Sequence, residues 1–206
     1  ISKAWSTARS TDVTSLGVQV HGGRGYVEET GAAQHMRDAR IAAIYEGTNG
    51  IQAIDLVGRK LQGDGGAAAK EFIGEARAEA AAAKDAGTPE TTLIAARLTK
   101  AADALEASTD WLLAAAKKDQ HDVLAGATPY LKQFGNVAGG VYLARGARAA
   151  VRAMAEEGAD KAYLGSKVSI ARFYADNYLT EAVGLTDAVT AGADAVQELD
   201  PSVLSA

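Results

Sequence analysis

Between residues 94 and 112, small or apolar side chains recur at alternating steps of four and three: Ile94, Leu98, Ala101, Leu105, Ser108 and Leu112. An α-helix turns once in 3.6 residues, so this spacing draws one stripe down a single helix face, whereas a strand would alternate with a period of two. The stripe is about five turns long and needs partners of similar length to cover it. Two further stripes meet that need. Leu164, Val168, Ala171, Ala175, Tyr178 and Ala182 repeat the pattern, and Tyr130, Phe134, Val137 and Val141 form a third line. Gly135 and Gly139 lie on a neighbouring line, where a second backbone is expected to approach closely. Dense alanine favours helices packed through small side chains over a sheet rich in β-branched residues. The expected fold class is all-α.

The glycine cluster Gly63-Asp64-Gly65-Gly66 is the best linker candidate and divides residues 1–63 from residues 64–206. Beyond it, residues 67–86 read as a helix rich in Ala, Glu and Lys. Thr88-Pro89-Glu90 restarts the chain with a capping Thr, a Pro in the first helical position and an early acid. Lys117-Lys118 closes that helix favourably for its dipole. A third long helix is expected over at least residues 129–154, with a start as early as Asp119. A fourth is expected over residues 160–183, terminated by Gly184, with a short closing helix over 185–199. Four long helices with short connections predict an antiparallel bundle. Ahead of the linker, residues 2–20 fit one helix, which Gly22, Gly23 and Gly25 interrupt. Helical pattern returns over residues 30–39 and, after a connection over 42–49, at Ile51, Ile54, Leu56, Val57 and Leu61.

Several function classes are disfavoured by composition. With 206 residues and a net charge of -5, the chain lacks the clustered Lys and Arg of a nucleic-acid partner, although one small phosphorylated ligand remains open. It has no cysteine, which removes disulfides, thiolate chemistry and Cys-based metal sites and fits a reducing compartment; a cytoplasmic location is expected. His21, His35 and His121 have neither the spacing nor the companions of a metal site, so none is expected. The densest apolar run, Leu112 to Ala116, is too short for membrane insertion and is flanked by Asp110 and Lys117. The chain opens at Ile1 already in an amphipathic pattern, as expected of part of a longer polypeptide. Arg37, Asp38 and Arg40 are expected in structural ion pairs. Trp5, Trp111, Tyr130, Tyr142, Tyr163, Tyr174 and Tyr178 sit at helical spacings that predict core or helix-interface packing.

Two stretches stand apart: Gln19-Val20-His21-Gly22-Gly23-Arg24-Gly25-Tyr26 and Ile44-Tyr45-Glu46-Gly47-Thr48-Asn49. Taken singly, each has a plain reading. Glu46 is then a solvated loop carboxylate, Thr48 the N-cap of the helix that follows, and the glycine run a helix-breaking turn without the spacing or the preceding strand of a dinucleotide fingerprint. Together they strongly resemble the last third of the flavin-dependent acyl-CoA dehydrogenases, over residues 1 to about 63. The resemblance implies that Glu46 removes the pro-R α-proton of an acyl-CoA thioester while hydride leaves Cβ for the N5 atom of FAD. A Cα–H beside a thioester is a weak acid in water, so such a base works in an apolar, water-poor slot. The resemblance also places Tyr45, Glu46 and Gly47 against the substrate, with the thioester oxygen held by the backbone N–H of the base and by the flavin ribityl 2'-hydroxyl. Gln19, Gly22 and Gly23 are implied to contact the adenosine and pyrophosphate half of FAD, often that of the neighbouring subunit. The Thr48 hydroxyl is implied to bond the flavin.

Two positions depart from the family pattern. Gly50 stands where many members carry Gln or Glu near the flavin, and Gln34 where Lys or Arg is usual. The run Thr48-Asn49-Gly50-Ile51-Gln52-Ala53 resembles the family branch with an added helical region. Residues 1–63 are therefore expected to form the distal half of the family's C-terminal four-helix domain, and residues 64–206 an appended bundle. By the same resemblance the parent is a homodimer in fatty-acid β-oxidation, with electron-transfer flavoprotein as electron acceptor, and this stretch alone is inactive. The rival expectation is a non-catalytic helical interaction or oligomerisation module that keeps a dehydrogenase-like sequence.

Overall fold

A computed structural model describes residues 1–204, and among them the protein is all-α with no strand. The helices are α1 (Ser2–Val20), α2 (Gly23–Tyr26), α3 (Ala32–Ala42), α4 (Asn49–Asp55), α5 (Leu61–Gly63), α6 (Ala67–Asp85), α7 (Pro89–Ala115), α8 (Gln120–Ala125), α9 (Ala127–Ala153), α10 (Lys161–Tyr174), α11 (Thr180–Thr190) and α12 (Asp194–Gln197). A π turn over Leu56–Lys60 joins α4 to α5, and another over Ala175–Leu179 joins α10 to α11, so each pair runs on without a break.

Side-chain pairs give the direction of each long helix. Lys70 meets Asp110 at 2.9 Å while Arg77 meets Asp103 at 2.7 Å and Glu106 at 2.6 Å, so α6 and α7 are antiparallel. Phe72 stacks on Phe134 at 5.0 Å, and Glu79 grips Arg145 and Arg148 at 3.1 and 3.0 Å, which sets α6 parallel to α9. Asn136 bonds the carbonyl of Tyr178, and Gln133 that of Ala182, so α9 and the α10–α11 rod are antiparallel. The result is an up-down-up-down bundle.

Its centre is the predicted stripe: Ile94, Leu98, Ala101, Leu105, Ser108 and Leu112 are all at most 1% exposed. Tyr130 is fully buried, bonds Thr109 Oγ1 at 2.8 Å, and burial pushes its hydroxyl up to about 12 against that bond. Thr88 caps α7 as expected, and Thr91 returns a bond to the Thr88 N–H, completing a capping box with Thr in the place of Glu.

Several expectations fail for physical reasons. Gly135 and Gly139 receive aromatic side chains, not a backbone. A Cβ at Gly135 would run into the Trp5 indole and one at Gly139 into the Tyr174 hydroxyl, because the bare groove of α9 takes a ring. Gly184 does not end its helix. Buried Ala182 and Val189 hold α11 through it, and the turn comes at Gly192, whose φ of 76° is left-handed. Residues 185–199 are thus split between α11 and the short α12. The stretch after Asp119 is a separate helix, α8, because the chain turns a corner at buried Gly126, where a Cβ would come within 2.6 Å of the Val189 carbonyl. The helix expected over 30–39 is shifted to α3, since Gly31 at φ 77° breaks the chain just before it.

Tyr142 and Tyr163 are not core residues. They are 66% and 57% exposed, with Arg145 and Lys167 over their rings at 5.4 and 4.8 Å, an arrangement that keeps the cations wet. Trp111 does pack against the core, and Tyr174 stacks on Tyr178 at 4.8 Å. Of the cluster on α3, Arg37 pairs with Glu28 at 3.2 Å, but Asp38 and Arg40 make no ion pair among the described residues. They extend from a helix that buries nothing.

Glu181 sits where the rod meets α9, with Lys132 at 2.5 Å and the Asn136 side-chain amide at 2.8 Å. Burial pushes its carboxyl up, but these partners outweigh burial and hold it below the usual carboxylate range. The unfolded chain therefore takes up the proton at higher pH than the folded one. The stabilisation from Glu181 is complete above the unfolded value and is lost as pH falls through the folded one. Thermal midpoints measured between about pH 5 and pH 3 should fall more steeply for the parent than for Glu181→Gln; equal slopes would remove Glu181 from this role.

Candidate active site

The segment between α3 and α4 is built on two successive left-handed residues. Ile44 and Tyr45 donate their N–H groups to the Ile41 carbonyl at 2.9 and 3.1 Å, finishing α3. Glu46 then adopts φ 54° and Gly47 φ 81°. Glu46 is the one non-glycine with positive φ among the described residues. Such a conformation costs on the order of 1–3 kcal/mol and persists only where neighbours over-determine it. Gly47 is favoured by its left-handed φ, and a Cβ there would come 3.1 Å from the Gln52 amide nitrogen, close enough to make that side chain shift. Thr48 turns extended and caps α4, its hydroxyl oxygen accepting from Ile51 N at 3.3 Å, so its hydroxyl hydrogen is free for another acceptor. Asn49 N closes the loop on the Ala43 carbonyl at 3.1 Å.

Tyr45, Glu46, Gly47 and Thr48 are therefore brought together on one exposed loop. The Glu46 carboxylate has no hydrogen-bond or ion-pair partner among the described residues, so it is available as an acceptor for an incoming group.

This loop is tied to the start of α1. Lys3 Nζ donates to the Gly47 carbonyl at 2.8 Å and to Asn49 Oδ1 at 3.1 Å. Thr7 Oγ1 donates to the same Asn49 oxygen at 3.0 Å, and Asn49 Nδ2 donates to the Ala4 carbonyl at 3.1 Å. The sequence reading missed Lys3, Thr7 and Asn49. The available signal was the i, i+4 spacing of Lys3 and Thr7, which puts two donors on one helix face with the small Ala4 between them.

The glycine turn lies at the other end of α1. Gln19 is exposed in the last turn, Gly22 takes φ 60°, and no atom would crowd a Cβ at Gly22 or Gly23. Gly25 is different: it is buried, and its missing Cβ lets α2 fold back onto the Val18 carbonyl. His21 Nδ1 contacts the Gly17 carbonyl at 2.8 Å, a local role beside the turn. From Lys3 to Gln19 the helix rises about 24 Å, so Gln19, Gly22 and Gly23 are not gathered around Glu46. Val20, Tyr26, Ile41, Tyr45, Ile51 and Ile54 present apolar side chains to the outside, all at least 46% exposed.

Two family descriptions cover most of the chain: "Acyl-CoA dehydrogenase, C-terminal domain" matches residues 1–62, and "Acetyl-CoA dehydrogenase C-terminal like" matches residues 72–200. The chain belongs to the acyl-CoA dehydrogenase family. It is 44% identical over 179 residues to the 3-methylmercaptopropionyl-CoA dehydrogenase of Ruegeria pomeroyi, covering 87% of this chain and 30% of that protein. It is 30% identical over 193 residues to the broad-specificity linear acyl-CoA dehydrogenase FadE5 of Mycobacterium tuberculosis, covering 89% and 31%. Similarity to the short-chain specific acyl-CoA dehydrogenase of Sus scrofa, at 42% identity, is confined to 62 residues, or 30% of this chain and 15% of that one. The chain thus spans just under a third of the two relatives that match along most of its length. No helix among the described residues is long and apolar enough to cross a membrane.

The backbone at position 46 would suit glycine better than glutamate. Glu46→Gly should leave the fold intact and raise stability by about 1 kcal/mol or less, since a left-handed φ is unstrained without a Cβ. A denaturant midpoint shifted downwards would contradict the strain.

Proposed function

We propose that this chain is the catalytic-base segment, residues 1–63, and the appended bundle, residues 64–206, of an FAD-dependent acyl-CoA dehydrogenase. The observation that carries the reading is Glu46. A carboxylate with no partner is held in a costly left-handed backbone beside a glycine that permits close approach, within a family whose named members act on acyl-CoA thioesters.

The residues suit FAD. Gly22 and Gly23 form a turn open to a phosphate, Gln19 is exposed beside it, and Thr48 keeps a hydroxyl hydrogen to donate. Held by the glycine turn of one subunit and by Thr48 of the other, FAD would supply the acceptor for a hydride. Glu46 takes the α-proton of the thioester, Gly47 and Tyr45 lie along the acyl-CoA, and the Glu46 N–H supports the developing negative charge on the thioester oxygen. The exposed apolar side chains from Val20 to Ile54 are the surface that would exclude water once covered by the rest of the enzyme. The substrate is assigned to the acyl-CoA class only, because the relatives' names span a sulfur-containing and a linear acyl group. Electron-transfer flavoprotein is the electron acceptor we assign, and the cysteine-free sequence suits the reducing cytoplasm in which we place the enzyme. The chain by itself is proposed to be inactive.

In the whole protein, Glu46→Gln should retain its yellow flavin while dehydrogenation of an acyl-CoA falls by orders of magnitude. Near-normal turnover would remove Glu46 from its role, whereas a whole protein that dehydrogenates no acyl-CoA before any substitution would favour the non-catalytic helical module. The glycine turn and the Glu46 loop lie at opposite ends of α1, which rises about 24 Å from Lys3 to Gln19, and this favours a homodimer in which the turn serves the partner's flavin. Sedimentation of the whole protein should give the mass of two chains; a mass of four would refute the dimer.

A further inference from the structure

Resting on the catalytic reading of Glu46, we propose that Lys3, Thr7 and Asn49 are positioning residues that hold the base in its left-handed backbone. None of the three has been placed against substrate or flavin; each acts on the loop that carries Glu46. Gly47 is the most permissive residue of that loop. Were its carbonyl free to turn, Glu46 could relax out of the left-handed region and swing its carboxylate away from the reacting carbon. Lys3 prevents that rotation by donating to the Gly47 carbonyl at 2.8 Å, and the same ammonium reaches Asn49 Oδ1 at 3.1 Å. Thr7 adds a second donor to that oxygen at 3.0 Å, and the Asn49 amide returns to the Ala4 carbonyl at 3.1 Å. The loop is thus pinned on the far side of Glu46 at the Gly47 carbonyl and at Asn49, the first residue of α4. Its near side is closed by the bond from Asn49 N to the Ala43 carbonyl.

The mount for this clamp is itself immobilised. At 100° per residue, Trp5 lies roughly 160° round α1 from both Lys3 and Thr7. Its indole sits against Gly135, and Nε1 donates to Asn136 Oδ1 at 2.8 Å, while Asn136 donates to Glu181 at 2.8 Å. One side of α1 is anchored in the bundle and the other holds the loop. This arrangement gives the bundle a part in catalysis without any contact with substrate.

The test is made in the whole, flavin-loaded enzyme with an acyl-CoA that it turns over. Lys3→Met should lower kcat about ten-fold to a hundred-fold, as expected when a reacting group is displaced by an ångström or less, with KM within about two-fold and flavin content unchanged. Lys3→Arg, which keeps the donors, should recover most of the lost kcat, and Asn49→Ala should reproduce the Lys3→Met pattern. A kcat within about two-fold of the parent in Lys3→Met, no recovery in Lys3→Arg, or a loss that tracks lost flavin or a lowered melting temperature would each overturn the proposal. If Lys3→Met does not fold, Thr7→Val carries the test at nearly constant volume: a kcat reduced about three-fold or more at unchanged flavin content supports positioning, and an unchanged kcat overturns it. Glu46→Gln assayed beside these variants separates the two readings. An inactive Glu46→Gln with a normal Lys3→Met defeats only the clamp, whereas an active Glu46→Gln defeats the role of Glu46 itself.

Discussion

The indole of Trp5 lies in the groove that Gly135 opens in α9, and its N–H is bonded to Asn136, a residue wholly inside the bundle. That joint fixes the start of α1 against α9, while the stretch from α4 to α5 is held to the same core by buried Ala53, Val57 and Leu61. Arg9, one turn on, spreads over the Tyr178 ring at 5.7 Å, and Asn136 passes the connection to the Tyr178 carbonyl and Glu181 on the opposite helix. A single buried amide thus joins three helices. Hydrogen bonds of this sort are worth only about 1 kcal/mol net, but leaving the Asn136 amide unpaired inside the bundle would cost more. The joint therefore specifies geometry more than it adds stability.

The two parts of the chain differ in how they meet water. In the bundle the long helices bury their stripes against one another, with α7 and α9 supplying most of the closed core. In residues 1–63, α1 buries only Ala4 and α3 buries nothing, while Val20, Tyr26, Ile41 and Ile51 face outwards. Exposed apolar side chains scattered singly over a surface need no explanation; in residues 1–63 they accompany helices that bury little. The strained backbone of Glu46 lies in this same part of the chain, on an exposed loop.

The bundle was legible in the sequence because it is written in local periodicity. The four-three spacing from Ile94 to Leu112 depends only on the pitch of the helix, and Thr88-Pro89 caps its helix through atoms a few residues apart. The candidate site was legible for another reason: Tyr45-Glu46-Gly47-Thr48 is a chemical pattern, and the structure keeps those residues on one loop. What was misread involved partners far away in sequence. Gly135 and Gly139 announced a close approach but not that aromatic rings from α1 and α10 would make it. Gly184 looked like a terminator because buried Val189, five residues later, has no local signature. Tyr142 and Tyr163 sat at helical spacing yet on the outer faces of their helices.

By itself the sequence determined the helical class, the stripes and the motif around Glu46, since each depends on atoms within a turn or two of chain. Only the tertiary structure decided that Glu46 would stand in a left-handed backbone with Lys3, Thr7 and Asn49 fastening its loop. Those bonds join residues more than forty positions apart. No local spacing encodes them; they exist because packing against α9 first brings the start of α1 beside the start of α4.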